Sequence, residues 1–135
     1  MKLYAYETDT PYFVQLATGA KEQILTSAVA STELLCAFER KERNGDFRSG
    51  GANAAFDQYL MDTRRGRIIE IPYSRDVVEE ARKLLNAVTD PRILIRSLDM
   101  IHVASAIAAK AGLIAATDLR LRRLAAFANI KLLPK

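Results

Sequence analysis

Apolar residues recur along this chain with two alternating spacings, which predict short strands and amphipathic helices in turn. Three- to four-residue spacing predicts helices over residues 10–19, 29–43, 52–65, 75–88, 97–110 and 119–127. Short runs rich in Ile, Leu and Ala predict strands at residues 24–27, 68–72, 113–117 and 130–133. Strands that alternate with helices are typical of a mostly parallel sheet covered on both faces, so we predict an α/β fold.

Capping and stop signals support several of these helix ends. Thr10 and Ser74 are predicted N-caps, because a short polar side chain satisfies free N–H groups at a helix start. Gly45, Gly66 and Gly112 are predicted to end helices, since glycine readily adopts the left-handed conformation that follows a C-cap. We see no internal repeat and no linker, and 135 residues suit a single domain over residues 1–135.

Composition and charge restrict the class of protein. Twenty basic and sixteen acidic residues give a net charge of +4, which is compatible with a polyanionic partner without requiring one. Cys36 is the only cysteine and cannot form an internal disulfide, which fits a reducing compartment. No apolar stretch approaches the ~18 residues of a membrane-spanning helix, and no signal-peptide pattern opens the chain. We therefore expect a soluble, cytoplasmic protein with no membrane partner.

Three acids stand in strongly apolar surroundings. Glu33, Asp99 and Asp118 each interrupt or directly follow an apolar run. An ionised carboxylate in such surroundings is costly unless something pairs with it, and two carboxylates at ~4 Å repel by roughly 4 kcal/mol at an effective dielectric near 20. A hard divalent cation such as Mg²⁺ removes that penalty. If folding brings these acids together, they form a metal site suited to phosphates.

Each acid also has an ordinary structural explanation. Asp99 falls in the first turn of its predicted helix, where a negative charge is favourable. Asp118 directly precedes the predicted helix at residue 119 and is suited to be its N-cap. His102, the only histidine, lies one turn after Asp99 and is explained either as a hydrogen-bonded structural imidazole or as a tether for Asp99. A triad of Ser27, His102 and an Asp is set aside because no nucleophile elbow surrounds Ser27.

Four segments together resemble one known family. They are, in order, residues 2–4 with Glu7, residues 27–34, residues 98–106 (LDMIHVASA) and residues 116–121 (ATDLRL). Their order and spacing resemble the PIN domain, the nuclease fold of toxins of the VapC kind in type II toxin–antitoxin systems. The resemblance implies a three-layer α/β/α fold with a mostly parallel central sheet. It also implies a Mg²⁺-dependent endoribonuclease, with Mn²⁺ as a substitute ion, in which Glu33, Asp99 and Asp118 are the metal ligands and catalytic residues.

Supporting residues and partners are also expected. From their positions beside the acids, Thr117 is expected to orient a ligand or water through its hydroxyl, and His102 to tether Asp99, both from a second layer. Arg120, Arg122 and Arg123 follow Asp118 closely, so we expect them near an RNA backbone. By resemblance, the expected partners are RNA, a small antitoxin protein and a second copy of the chain. The apolar residues of the helices at 11–16 and 52–60 are candidates for those protein contacts, although core packing explains them equally well.

One departure from the family pattern leaves an alternative open. PIN domains begin with a central strand that ends in an aspartate, and the alignment of residues 2–4 places that strand before Met1. Asp9 does not replace it, because only 24 positions separate Asp9 from Glu33, too few for the intervening helices. Either the gene product starts further upstream or one carboxylate is lost, with residues 1–6 as a substitute strand. The alternative is a catalytically impaired PIN-like domain that binds protein or RNA.

Overall fold

A computed structural model of the protein describes residues 2–20 and 23–134. The six helices of this part of the chain are α1 Thr10–Gly19, α2 Val29–Arg43, α3 Gly51–Arg64, α4 Arg75–Ala87, α5 Ser97–Ala108 and α6 Leu119–Phe127. The four strands in the same residues are β1 Ile24–Ser27, β2 Ile68–Ile71, β3 Leu113–Ala115 and β4 Lys131–Leu133. Successive strands are separated by two, two and one helices, in the order that the apolar pattern predicts.

The strands pair as two small sheets, β1 with β2 and β3 with β4. β3 and β4 are parallel, with Leu113 opposite Lys131 and Ala115 opposite Leu133. The α/β class is confirmed. Within the described residues each strand is three or four residues long and hydrogen-bonds to a single neighbour. The strands therefore form two narrow sheets and not one wide sheet.

Two local predictions were wrong. The N-cap of α1 is Asp9 and not Thr10, because the Thr10 hydroxyl instead accepts a hydrogen bond from the N–H of Glu7 and donates one to the carbonyl of Ala5. Residues 2–6 form turns and irregular backbone rather than the substitute strand considered above. Met1 lies outside the described residues. The loop that enters α1 is held instead by the Lys2 ammonium, which donates to carboxylates of Glu7 and Asp9.

The chain forms two compact units, and the first comprises Met1–Ile24 and Ala30–Glu70. Its core is built around Phe38 and Tyr59, which are almost completely buried. The Tyr4 ring packs edge-on against both of these rings. The Tyr59 hydroxyl donates to Glu70, and the Tyr4 hydroxyl donates to Asp62 at 3.1 Å. Each aromatic side chain thus buries its apolar body while its polar end keeps a partner.

The second unit comprises Leu25–Val29 and Ile71–Lys135. Its core surrounds α5, whose Val103 is fully buried and packs with Leu84 of α4 and Leu124 of α6. The Ser74 hydroxyl accepts from the Val77 N–H, which confirms the predicted cap of α4. None of the helices in residues 2–20 and 23–134 combines the length and apolar character that a membrane span requires. That residues 1–135 form a single domain stays a prediction.

Candidate functional site

The two predicted site acids of the second unit lie at the starts of two helices that pack against each other. Asp99 is in the first turn of α5, and Asp118 is the N-cap of α6. α5 and α6 are in direct contact along the unit's core. The positive ends of both helix dipoles therefore act on these carboxylates, which favours their ionised form.

Asp118 has the structural role that its sequence position allows. Its Oδ1 accepts hydrogen bonds from the N–H groups of Arg120 at 2.8 Å and Leu121 at 3.1 Å. The hydrogen bonds from Leu121 and Arg120 lower the pKa of the Asp118 carboxyl below its usual range. Both bonds end on the same oxygen, so the cap does not use Oδ2. A capping role and a ligand role are therefore compatible in this side chain.

Asp99 is in a less favourable environment. Its Oδ2 atom is buried, and no residue of the described chain donates a hydrogen bond to it. Burial, and then the charge of Asp118, raise the pKa of the Asp99 carboxyl, while the charges of Arg96, His102 and Arg120 oppose that change. A buried carboxylate oxygen without a donor is costly, so this arrangement is one that a bound cation would improve.

These two carboxylates fit a hard divalent cation. They offer oxygen atoms of the kind that Mg²⁺ and Mn²⁺ bind. The buried Oδ2 of Asp99 has no hydrogen-bond donor in the described residues, so the Asp99 charge destabilises the folded protein unless a cation binds there. Glu33 is partly buried in α2, in the other compact unit. Across residues 2–20 and 23–134, no three His, Cys, Asp or Glu side chains are grouped closely enough to hold an ion. The three-ligand site consisting of Glu33, Asp99 and Asp118 therefore stays a prediction.

His102 is hydrogen-bonded inside the second unit. Its Nδ1 lies 2.6 Å from the Ser27 hydroxyl oxygen, although the two residues are 75 positions apart in the chain. Ser27 is only 4% exposed at the end of β1. The pair therefore joins β1 to α5, as a structural imidazole does, and Ser27 rather than Asp99 is this nitrogen's partner. Thr117 is exposed in the segment between β3 and α6. The predicted second-layer roles of His102 and Thr117 remain untested.

The three basic residues of α6 differ in what they contact. The Arg122 guanidinium donates to the carbonyls of Ala116, Leu133 and Pro134 at 2.7, 3.0 and 2.7 Å, so it joins the ends of the β3–β4 sheet to α6. Arg123 is exposed, and its charge acts on Asp90. The Arg120 charge acts on both Asp99 and Asp118. Contact of any of these three with RNA stays a prediction, and Arg122 has a structural role that the sequence analysis missed.

We expect Arg122→Ala to destabilise the protein by about 1–3 kcal/mol, because backbone carbonyls at the end of a sheet lose a charged donor. Thermal unfolding measures the loss. The exposed neighbour Arg123→Ala provides a control with the same change in charge, and its effect should stay within about 0.5 kcal/mol. Equal melting temperatures for the two variants would show that Arg122 does not hold the strand ends.

The fold and the two acids define a class: an α/β protein with carboxylates at the starts of two helices that pack against each other. In the comparison with protein families, the PIN domain matches residues 3–127. The chain belongs to the PIN domain family. PIN domains are generally metal-dependent nucleases and typically use divalent ions. Comparisons with curated proteins and with solved structures found no significant match.

Proposed function

We propose that this protein is a Mg²⁺-dependent endoribonuclease that hydrolyses RNA phosphodiester bonds. The observation that carries the proposal is the Asp99 Oδ2 atom, buried beside the charge of Asp118 and without a hydrogen-bond donor in the described residues. Such an atom costs stability, because a buried carboxylate oxygen without a donor loses its hydration and gains no hydrogen bond in return. A cation bound by Asp99 and Asp118 compensates that cost. By family resemblance, we propose Glu33 as the third ligand.

The roles of the chain's own residues follow from this assignment. Asp99 and Asp118 present hard oxygens from two helices whose packing fixes their spacing. They would hold a divalent ion, which would lower the pKa of a bound water and neutralise charge that develops on the phosphate. We assign to the hydroxyl of Thr117, the residue before Asp118, the role of orienting that water. To Arg120, in the first turn of α6, we assign contact with the RNA backbone.

We further propose that the enzyme is the toxin of a VapC-like toxin–antitoxin pair, acting in the cytoplasm as a homodimer that a small antitoxin inhibits. Support for protein contacts comes from α1, where Tyr12 and Val14 are 38% and 41% exposed. In α3, by contrast, Ala52 and Tyr59 are buried in the core. Of the two helices considered from the sequence, α1 therefore offers the better contact surface. Expression of the wild-type chain should arrest growth of a bacterial host.

The metal requirement gives a direct prediction. Millimolar Mn²⁺ or Mg²⁺ should raise the melting temperature, because a ligand that binds only the native state stabilises it by about 2.7 kcal/mol at 100 times its Kd. The same ions should be required for cleavage of single-stranded RNA, and EDTA should abolish it. An unchanged melting temperature together with metal-independent cleavage would reject the proposal.

A second candidate function is an RNA-binding PIN domain that does not cleave. The observation that favours it is that no three ligating side chains are grouped within the described ranges of the chain. This candidate predicts that RNA binds with the same affinity in Mn²⁺ and EDTA and remains intact. Metal-dependent cleavage rules it out.

A further inference from the structure

Two arginines lie within three positions of the two site acids, one at each helix start. Arg96 is the N-cap residue of α5, three positions before Asp99, and Arg120 is two positions after Asp118 in the first turn of α6. Neither guanidinium forms a salt bridge with another residue of the described chain. Each guanidinium nevertheless belongs to the first turn or cap of the helix that begins at its acid, and α5 and α6 pack against each other. Each helix start thus combines one carboxylate with one guanidinium that is near it but not bound to it.

Three other arginines of the second unit have partners of their own. Arg82 pairs with Glu79 at 2.7 Å, Arg92 pairs with Asp90 at 2.8 Å, and Arg122 donates to three carbonyls. Because an ion-paired or carbonyl-bound guanidinium must break those contacts to bind a ligand, these three are poor candidates for substrate binding. Arg96 and Arg120 need break no such contact.

We propose that Arg96 and Arg120 together bind the RNA phosphate that lies at the Asp99–Asp118 pair. This inference rests on the proposed nuclease function. Without metal, the two guanidinium charges balance the two carboxylates. Once a divalent cation is held, the same four side chains and the ion carry two positive charges in excess, and one positive charge remains when Glu33, the proposed third ligand, is counted. A backbone phosphate carries one negative charge, so the two arginines bind the substrate in its ground state. Further negative charge develops on the phosphate during hydrolysis, and the same arginines stabilise that charge in the transition state.

The charge balance has a consequence that a purely structural role does not share. Metal and RNA must strengthen each other's binding, since each improves the electrostatic environment of the other. The arginines themselves, however, repel the cation. Removing one of them should therefore weaken RNA binding and strengthen metal binding, which are changes of opposite sign in one variant.

Geometry adds a distinction between arginine and lysine. A guanidinium binds two phosphate oxygens through parallel N–H donors, whereas a lysine ammonium binds as a point charge. Arg96→Lys should keep the metal affinity of the wild type, because the charge is retained. It should recover only part of the RNA affinity that Arg96→Ala loses.

The test measures two dissociation constants in the full-length protein. Mn²⁺ binding is measured by titration calorimetry, and binding of a fluorescent single-stranded RNA oligonucleotide is measured by anisotropy in Ca²⁺, which occupies oxygen sites at longer distances. For Arg96→Ala and Arg120→Ala we expect the RNA Kd to rise about tenfold, as for the loss of one charge-assisted hydrogen bond. The Mn²⁺ Kd should fall about fivefold. Each lost phosphate contact should reduce the salt dependence of RNA binding by about 0.7 in log–log slope.

Arg75→Ala is the matched control, because it removes the same charge from an exposed helix start, that of α4. It should change neither constant by more than about twofold, which is near the resolution of such measurements at surface sites. The melting temperature without metal reports the folding of every variant, and Arg96→Lys serves as the second variant should Arg96→Ala be poorly folded.

Two results would overturn the inference while leaving the nuclease proposal intact. One is a wild type that binds Mn²⁺ and RNA while both alanine variants behave like Arg75→Ala. The other is a change of both constants in the same direction, which would indicate a general loss of structure at α5 and α6. A wild type that binds no Mn²⁺ would reject the proposed function, and this inference with it.

Discussion

Asp99→Asn should abolish metal-dependent RNA cleavage while making the metal-free protein more stable. Asparagine keeps the size of the side chain but removes the charge that a cation needs, so we expect activity to fall at least about 100-fold. The stabilising effect of Mn²⁺ should disappear with it. In the absence of metal, the variant no longer buries a carboxylate oxygen beside the charge of Asp118. A gain of about 1 kcal/mol would raise the melting temperature by about 3–5 °C.

The stability difference should depend on pH in a defined direction. Folding raises the pKa of Asp99, through burial first and the Asp118 charge second. For such a group the native state is penalised once the pH exceeds the folded pKa, and the penalty is absent below the unfolded pKa. The advantage of Asp99→Asn over the wild type should therefore be full at neutral pH. It should disappear as the pH falls through the raised pKa of Asp99.

Asp76→Asn is a suitable control for Asp99→Asn. Asp76 also lies in the first turn of a helix of the second unit, but it is exposed. Removing its charge weakens the interaction with the dipole of α4, so the melting temperature should fall slightly and the response to Mn²⁺ should persist. If Asp99→Asn behaves like Asp76→Asn in both respects, the acid at position 99 merely stabilises its helix start.

Several features of the fold followed from local sequence signals. The bounds of α2 and α6 were predicted at the residues observed, because their apolar faces are continuous. The αL conformation of Gly45, with φ of 83°, is also consistent with its predicted role in ending α2. Asp118 was considered as an N-cap and is one. These are interactions within a few residues, which spacing along the chain can reveal.

Contacts between distant residues could not be predicted in this way. Ser27 and His102 are 75 positions apart, and nothing in either segment identifies the other as its partner. Arg122 follows an acid in a basic run, which suggested RNA, yet its donors are used by strand-end carbonyls. Thr10 failed as a cap because its hydroxyl bonds upstream, to the loop before the helix. In each case tertiary geometry decided between partners that the sequence leaves equivalent.

Only part of the reasoning that selected the site acids can be compared with the structure. Glu33, Asp99 and Asp118 were selected because their sequence surroundings are apolar. The buried Oδ2 of Asp99 agrees with that reasoning, whereas Asp118 is exposed. Arg96 was missed. Arg96 lies three positions before Asp99, and Arg120 lies two positions after Asp118. An arginine within one helical turn of each acid is the signal that could have identified Arg96. Such a parallel gains meaning only once α5 and α6 are known to pack together.

The largest effect on stability is expected for Phe38→Ala, in the core of the first unit. Phe38 is fully buried, and its ring contacts those of Tyr4 and Phe47 with centroids 6.5 and 6.0 Å away. Removing the ring loses its transfer free energy and leaves a cavity, at a cost of about 3–5 kcal/mol. The melting temperature should fall by about 10–20 °C, which is a large share of the total stability of a typical domain.

Two comparisons separate burial from helix propensity in this prediction. Leu35→Ala alters the same helix at a position that is 38% exposed, so its cost should stay below about 1 kcal/mol. Phe38→Leu keeps most of the apolar volume and should cost less than Phe38→Ala, about 1–2 kcal/mol. Because α2 also carries Glu33, the alanine variant should lose metal-dependent activity along with its folded state. Similar chemical denaturation midpoints for Phe38→Ala and Leu35→Ala would mean that this ring does not hold the first unit together.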